Sequence, residues 1–283
     1  MSSRDGPQEW TSHQATKRAA IDRHGNRALR LVDTHAHLEE VEGGVETAVT
    51  EARAAGVADV VAMAVDARSS RQVVAWADRV PGVWAAVGHH PLNQEGPDLG
   101  LLRELAGSPR VVAIGEVGLD HVDEHRGPHD AQRAWFRACC LLALELDLPV
   151  CVHVRGTEEQ VYEELRAHPG LRGVMHYWAL PWQWAERFLG LGFFISFAGT
   201  ITRTTKEHIR EVARLVPQDR LLLETDSPWG TPRGRSGPMR PAWLPDTAAA
   251  LAQERGLSLQ ELDRLQRRNV ERLFTRLAGA GGS

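Results

Sequence analysis

At six places along the chain a histidine or a carboxylate stands where a short apolar run gives out. Asp33-Thr34-His35-Ala36-His37 follows Leu31-Val32, and Gly88-His89-His90-Pro91 follows Val83–Val87. Glu116 follows Val111–Gly115, His153 and His176 close the runs Leu148–His153 and Gly173–His176, and Asp226 follows Leu221–Thr225. Alternate side chains of an extended segment share a face, so His35 and His37 point to one side. Taken singly, a histidine in such a position is more often a satisfied core residue than a ligand. Taken together, neutral imidazoles and carboxylates are the usual ligand set for zinc and related cations. The four histidines His35, His37, His153 and His176 and the two carboxylates Glu116 and Asp226 are too many for one catalytic zinc. They suit two divalent ions roughly 3.5–4 Å apart with a shared bridge. Glu116 is the expected bridge, because neither of the two lysines, Lys17 and Lys206, falls at such a position. Two divalent cations outweigh two carboxylates, and a cationic centre favours an anionic substrate such as phosphate.

These residues need a frame that brings distant segments to one point. Short apolar runs alternate with longer helix-period stretches, the mark of repeated βα units and a parallel sheet. Strands are expected at Leu31–Thr34, Asp59–Val65, Val83–Val87, Val111–Gly115, Leu148–His153, Gly173–His176, Phe193–Phe197 and Leu221–Thr225. Helices are expected over Val45–Ala54, His129–Glu145, Thr157–Ala167, Pro181–Leu189, Lys206–Leu215 and Ser258–Leu277, the last opened by a capping box of Ser258 and Glu261. Eight strands with helical returns, and no G-x-G-x-x-G in the first βα turn, predict an α/β fold of the TIM-like (β/α)8 type. In such barrels chemistry sits at the strand C-terminal ends, where these polar residues fall. The length of 283 residues suits one barrel over residues 30–283, with residues 1–29 a polar extension, helical or disordered, and a possible site for a protein partner.

With 42% hydrophobic and 25% charged residues, the chain has the composition of an ordinary globular protein. No segment reaches the roughly 18 apolar residues of a membrane span, and no apolar leader opens the chain, so a cytoplasmic protein is expected. Cys139, Cys140 and Cys151 form no pairing pattern and fit reduced thiols. A net charge of −4 excludes a broad basic surface of the kind that grips duplex DNA, so anion attraction must be local.

The motifs together resemble the TatD-type metal-dependent deoxyribonucleases among the amidohydrolase-like barrels. The resemblance runs from Leu31 to Phe274, through Asp33–Leu38, Gly88–Pro91, Ala113–Asp120, Gln132–Phe136, Leu148–Pro149-Val150, His153-Val154-Arg155, His176, Glu224–Pro228 and Asn269–Phe274. It implies that His35, His37, Glu116 and Asp226 hold one ion while Glu116, His153 and His176 hold a second. The ions implied are zinc, manganese or magnesium, of which an imidazole-rich set prefers the first two. Several positions depart from the family pattern: Tyr177-Trp178 replaces Cys-Phe, His121 replaces a tyrosine, Gly156 replaces an acid, and Gly237-Pro238-Met239-Arg240-Pro241 replaces Arg-Asn-x-Pro. These line the substrate pocket and leave the ligands intact.

The implied reaction is hydrolysis of nucleic-acid phosphodiesters, a 3′-5′ exonuclease working on single-stranded DNA ends. A water between the ions would attack phosphorus, with Asp226 and Glu116 catalytic and Asp226 orienting the water and taking its proton. Arg155 and His89 or His90 are placed for phosphate contacts, and Trp178 or Trp229 for stacking on a base. Arg233, Arg235 and Arg240 lie in the long loop after the last strand, either on phosphate or simply solvated. The alternative is an amidohydrolase-like enzyme acting on a small amide, lactone or ester, since the same activated water attacks carbonyls.

Overall fold

The alternation of apolar runs and amphipathic stretches folds as eight βα units. In a computed structural model that describes residues 28–122 and 129–279, the strands are β1 Leu31–Ala36, β2 Val57–Met63, β3 Val83–Val87, β4 Val111–Asp120, β5 Val150–Arg155, β6 Gly173–Met175, β7 Phe194–Phe197 and β8 Leu221–Leu223. All neighbouring pairs are parallel and the order is β1 to β8 in sequence, a (β/α)8 barrel. The outer layer holds α1 Gly44–Ala54, α2 Ala67–Arg79, α3 Leu99–Leu105, α4 His129–Glu145, α5 Glu158–Arg166, α6 Trp182–Gly190, α7 Glu207–Leu215, α8 Leu244–Arg255, α9 Leu259–Leu273 and α10 Thr275–Gly279. Most of the expected extension, residues 1–27, lies outside the described residues. Among the described residues no helix is long and apolar enough to cross a membrane.

Strand alternation sorts the core into two layers. Val61 and Met63 of β2 and Trp84 and Ala86 of β3 join a buried cluster with Val32, Cys151, Val174 and Leu222, closed by Val270, Leu273 and Phe274. Val60 and Ala62, and Val83, Ala85 and Val87, join the larger cluster with the helices. Two helices start on capping boxes, Asp66 with Ser69 for α2 and the expected Ser258 with Glu261 for α9.

Strand ends shift from the sequence expectation in a way that matters to the site. β4 runs five residues past Gly115 and carries Glu116 within it, where a strand ending at Gly115 was expected. Its continuation pairs with β5 through Gly118↔His153 and Asp120↔Arg155. Gly118 makes this possible: at φ 148°, a Cβ there would lie 1.9 Å from the His153 carbonyl oxygen. Gly88 does the same between β3 and β4, where a Cβ would come within 2.3 Å of the Gly115 backbone. The single C-terminal helix expected over Ser258–Leu277 is two, α9 and α10, divided at Phe274.

Candidate metal centre

The barrel closes where its first strand meets its last, and half of the predicted ligands sit on that seam. Asp226 N–H donates to the His35 carbonyl at 2.9 Å and His37 N–H to the Ser227 carbonyl at 2.9 Å. Beneath them Asp33 accepts from the Thr225 N–H at 2.9 Å and hydroxyl at 2.6 Å, and from His35 N–H at 3.3 Å. Asp226 takes a left-handed backbone, φ 56°, which a non-glycine residue keeps only where its surroundings hold it. Here the His35 contact and the Trp229 N–H, 2.8 Å from the Asp226 carbonyl, do so. Across the mouth, Glu116 is fixed through its N–H to the Ala64 carbonyl at 2.9 Å, and His176 through its N–H to the Val152 carbonyl at 3.2 Å.

These side chains converge as two donor sets around one carboxylate. In the first, His35 Nε2 lies 3.2 Å from His37 Nε2, and the two lie 3.4 and 3.3 Å from Glu116 Oε2 and 3.5 and 3.6 Å from Asp226 Oδ1. In the second, Glu116 Oε1 lies 2.8 Å from His176 Nε2, 2.9 Å from His153 Nδ1 and 3.4 Å from His90 Nε2. Donors about 2.1 Å from one ion lie about 3.0 Å apart at a right angle and about 3.4 Å apart at the tetrahedral angle. The observed distances come close to this. The clusters with atoms near enough to share a divalent cation are His35 with His37 and Glu116, His90 with Glu116 and His153, and His35 with His176 and Asp226, so that His176 stands within reach of both sets.

A family model described as TatD related DNase matches residues 32–275. The chain belongs to the TatD family. It is 32% identical over 253 residues to the uncharacterized metal-dependent hydrolase YabD of Bacillus subtilis, covering 86% of this chain and 98% of that one. It is 35% identical over 238 residues to the 3′-5′ ssDNA/RNA exonuclease TatD of Erwinia tasmaniensis, covering 80% and 92%. Among solved structures, the TatD homologue YjjV of Escherichia coli superposes with a TM-score of 0.81 at 31% identity, over 88% of this chain and 99% of that one. The present chain is a TatD family metal-dependent hydrolase on a (β/α)8 barrel, as its motifs predicted.

The electrostatics of this TatD centre follow from packing imidazoles and carboxylates out of water. Burial works to raise the Glu116 carboxyl, but the charges of His176 and His90 and hydrogen bonds from His153 and His176 hold it well below the usual carboxylate range. Burial works to lower His37 and is overridden by hydrogen bonds to Asp226 and Glu116, which take it up to about 10. His176 is raised well above the ordinary imidazole value against the same burial, chiefly by Glu116. His35 goes the other way, lowered by burial and by the charge of His176, on which its ring stacks at 4.0 Å. Burial pushes the Asp33 carboxyl up to about 7 against the hydrogen bonds from Thr225.

All six residues predicted as metal ligands thus meet in one TatD site, and His90 joins them, although it was expected on phosphate. His89 does not. Beyond the end of β3, His90 faces Glu116 while His89 packs edge-on against Trp135 at 5.2 Å. Trp178, expected against substrate, is 1% exposed and packs edge-on against Phe188 at 6.2 Å. Trp229 is 48% exposed and sits edge-on to His37 at 5.1 Å, so it is the tryptophan at the mouth. Arg155 is largely exposed, 3.9 Å from Asp120. Arg235 and Arg240 are tied to Asp246 and Glu42, which makes them loop struts. Sequence reading passed over two buried carboxylates behind the ligands. Asp120 Oδ2 lies 3.0 Å from His153 Nε2, and Glu224 Oε1 lies 3.5 Å from His176 Nδ1 while accepting the Tyr177 N–H at 2.6 Å. The signal was in the runs Gly118-Leu119-Asp120 and Glu224-Thr225-Asp226, each with an acid an even number of positions from a ligand.

Proposed function

We propose that this TatD family enzyme is a 3′-5′ exonuclease that removes nucleotides from single-stranded DNA ends with two divalent ions. The observation that carries the reading is the placement of Glu116, with Oε2 in one donor set and Oε1 in the other. His35, His37 and Asp226 would complete the first ion's ligands, and His153, His176 and His90 the second's. When bound, the ions would polarise the phosphate and provide a nucleophilic water at neutral pH. Asp226 offers the first set Oδ1, leaving its second oxygen to orient that water and accept its proton as the oxygen–phosphorus bond forms. The bond from phosphorus to the departing sugar oxygen breaks in the same displacement, and that oxygen takes up a proton. Arg155, exposed beside the second set, offers a forked donor pair to nonbridging oxygens, and Trp229 offers a face for a terminal base. The name of the Erwinia relative, an ssDNA/RNA exonuclease, agrees with this reading and extends the candidate substrates to RNA. The cysteines Cys139, Cys140 and Cys151 are all free and buried, in keeping with a reducing compartment, and we place the enzyme in the cytoplasm.

Protein loaded with manganese, magnesium or zinc and incubated with 5′-labelled single-stranded oligonucleotides tests this. Stepwise shortening from the 3′ end, lost by at least about 1,000-fold in Glu116→Ala, is the expected result. Intact oligonucleotides with every metal would contradict it and turn attention to small amide, lactone or ester substrates.

A further inference from the structure

The imidazoles around Glu116 do not all present the same nitrogen. His35, His37, His90 and His176 turn Nε2 toward its carboxylate, whereas His153 turns Nδ1, at 2.9 Å. The Nε2 of His153 is engaged by Asp120 Oδ2 at 3.0 Å. We propose that Asp120 is a positioning residue that locks the His153 ring in this reversed presentation and so builds the second donor set.

Both ring nitrogens of His153 face carboxylates, Glu116 at Nδ1 and Asp120 at Nε2, so once a cation takes the Nδ1 lone pair the single proton of the neutral ring sits on Nε2, where Asp120 accepts it. Donation of Nε2–H to a carboxylate also makes the opposite nitrogen a stronger ligand. Asp120 cannot swing away from this duty. It is buried at the end of β4, its Oδ1 accepts the Val122 N–H at 3.1 Å, and its backbone is gripped at both ends by Gln132 of α4. Gln132 Oε1 accepts the Asp120 N–H at 3.0 Å, and Gln132 Nε2 donates to the Asp120 carbonyl at 3.1 Å. The strand period adds the last part. Glu116 and Asp120 lie four residues apart, on one face of an extended strand, and so approach the same ring from its two nitrogen edges. The first donor set has no such device: His35 Nδ1 and His37 Nδ1 have no hydrogen-bond partner among the described residues. The two sets are therefore unequal, and loss of Asp120 should weaken one of them alone.

This inference rests on the two-ion reading above, and its test reads metal binding without turnover. The full chain labelled with 15N-histidine and loaded with zinc is expected to show His153, assigned by comparison with His153→Asn, ligated through Nδ1 with a proton on Nε2. In zinc titrations against a chelator, Asp120→Leu is expected to weaken one of two ions roughly 10- to 100-fold while the other changes less than about threefold. Should the leucine variant not fold, the isosteric Asp120→Asn decides, with an expected loss of about tenfold at one ion because the charge is gone while an acceptor remains. Ligation of His153 through Nε2, or two ions bound by the folded variants as tightly as by the wild type, would overturn the proposal. Zinc binding as predicted on a protein that leaves DNA intact would defeat the exonuclease reading and leave this one standing.

Discussion

The residues at this mouth proposed to hold cations and the one proposed to meet substrate differ in exposure. Glu116, His35 and His37 are buried and lie within 3.4 Å of one another, whereas Trp229 stands exposed on the outer side of His37. A base stacked on an aromatic face is worth about 1–3 kcal/mol, so Trp229→Ala is expected to raise KM on single-stranded oligonucleotides roughly 5- to 160-fold. Metal content should stay unchanged, because the indole holds no donor of either set. An unaltered KM would remove Trp229 from the substrate path. The sequence named both Trp178 and Trp229, and nothing in residue type or spacing could choose between them. The choice comes from the bend after β6, where Tyr177 adopts a left-handed φ of 46° and Trp178 is carried inward to Phe188. The ligands were legible because imidazole and carboxylate recur where apolar runs end. Asp120 was not, because a lone acid beyond a glycine-rich stretch reads as loop until β4 is seen to extend through it.

Among elements, the seam between β1 and β8 carries three of the candidate ligands, His35, His37 and Asp226. Few of its bonds are strand to strand. Gln266 of α9 accepts the Val32 N–H at 3.2 Å and donates to the Val32 carbonyl at 2.7 Å, while Asn269 donates to the Gln218 and Leu221 carbonyls, both at 2.8 Å. One helix thus fastens both strands from below by side-chain amides. Replacing Gln266 by leucine keeps the volume but strands a buried N–H and carbonyl of Val32. Each such group costs about 1–3 kcal/mol, so a loss of about 2–6 kcal/mol in urea unfolding is expected, and a loss below about 0.5 kcal/mol would show the clamp to be idle. The strands themselves were legible as apolar runs in βα alternation. Their ends were less so, because glycines at positions 88, 115 and 118 break the pattern where close approach of backbones, not apolar burial, sets the structure. The amide clamp was invisible for a different reason: Gln266 and Asn269 sit on the buried side of α9 in a sequence whose period alone marks the apolar positions.

At the scale of the molecule, a chain of net charge −4 would draw positive character to one end of the barrel from the cations proposed there. Metal and proton compete there. Hydrogen bonds from His37 to Asp226 and Glu116 override burial and raise His37 from 6.5 to about 10, and a cation must displace that proton to reach Nε2. Zinc or manganese affinity is therefore expected to rise with pH from 6 through 8, with protons released on binding, measurable by calorimetry in buffers of differing ionisation enthalpy; pH-independent affinity would contradict this. For the protein in chelator the sign reverses: the raised His37 stabilises the fold fully below 6.5, and that contribution fades as pH climbs through about 10. One ion present at about 1,000 times its Kd adds about 4 kcal/mol to stability. Chelation should accordingly lower Tm by about 10 °C, and an unmoved Tm would mean that no ion of that affinity is bound.

Anomalous diffraction from crystals grown with manganese or zinc tests the shared carboxylate directly. Two peaks about 3.5–4 Å apart are predicted, one among His35, His37 and Asp226 and one among His153, His176 and His90, with a Glu116 oxygen on each. A single peak, or two peaks with Glu116 bound to neither, would contradict it.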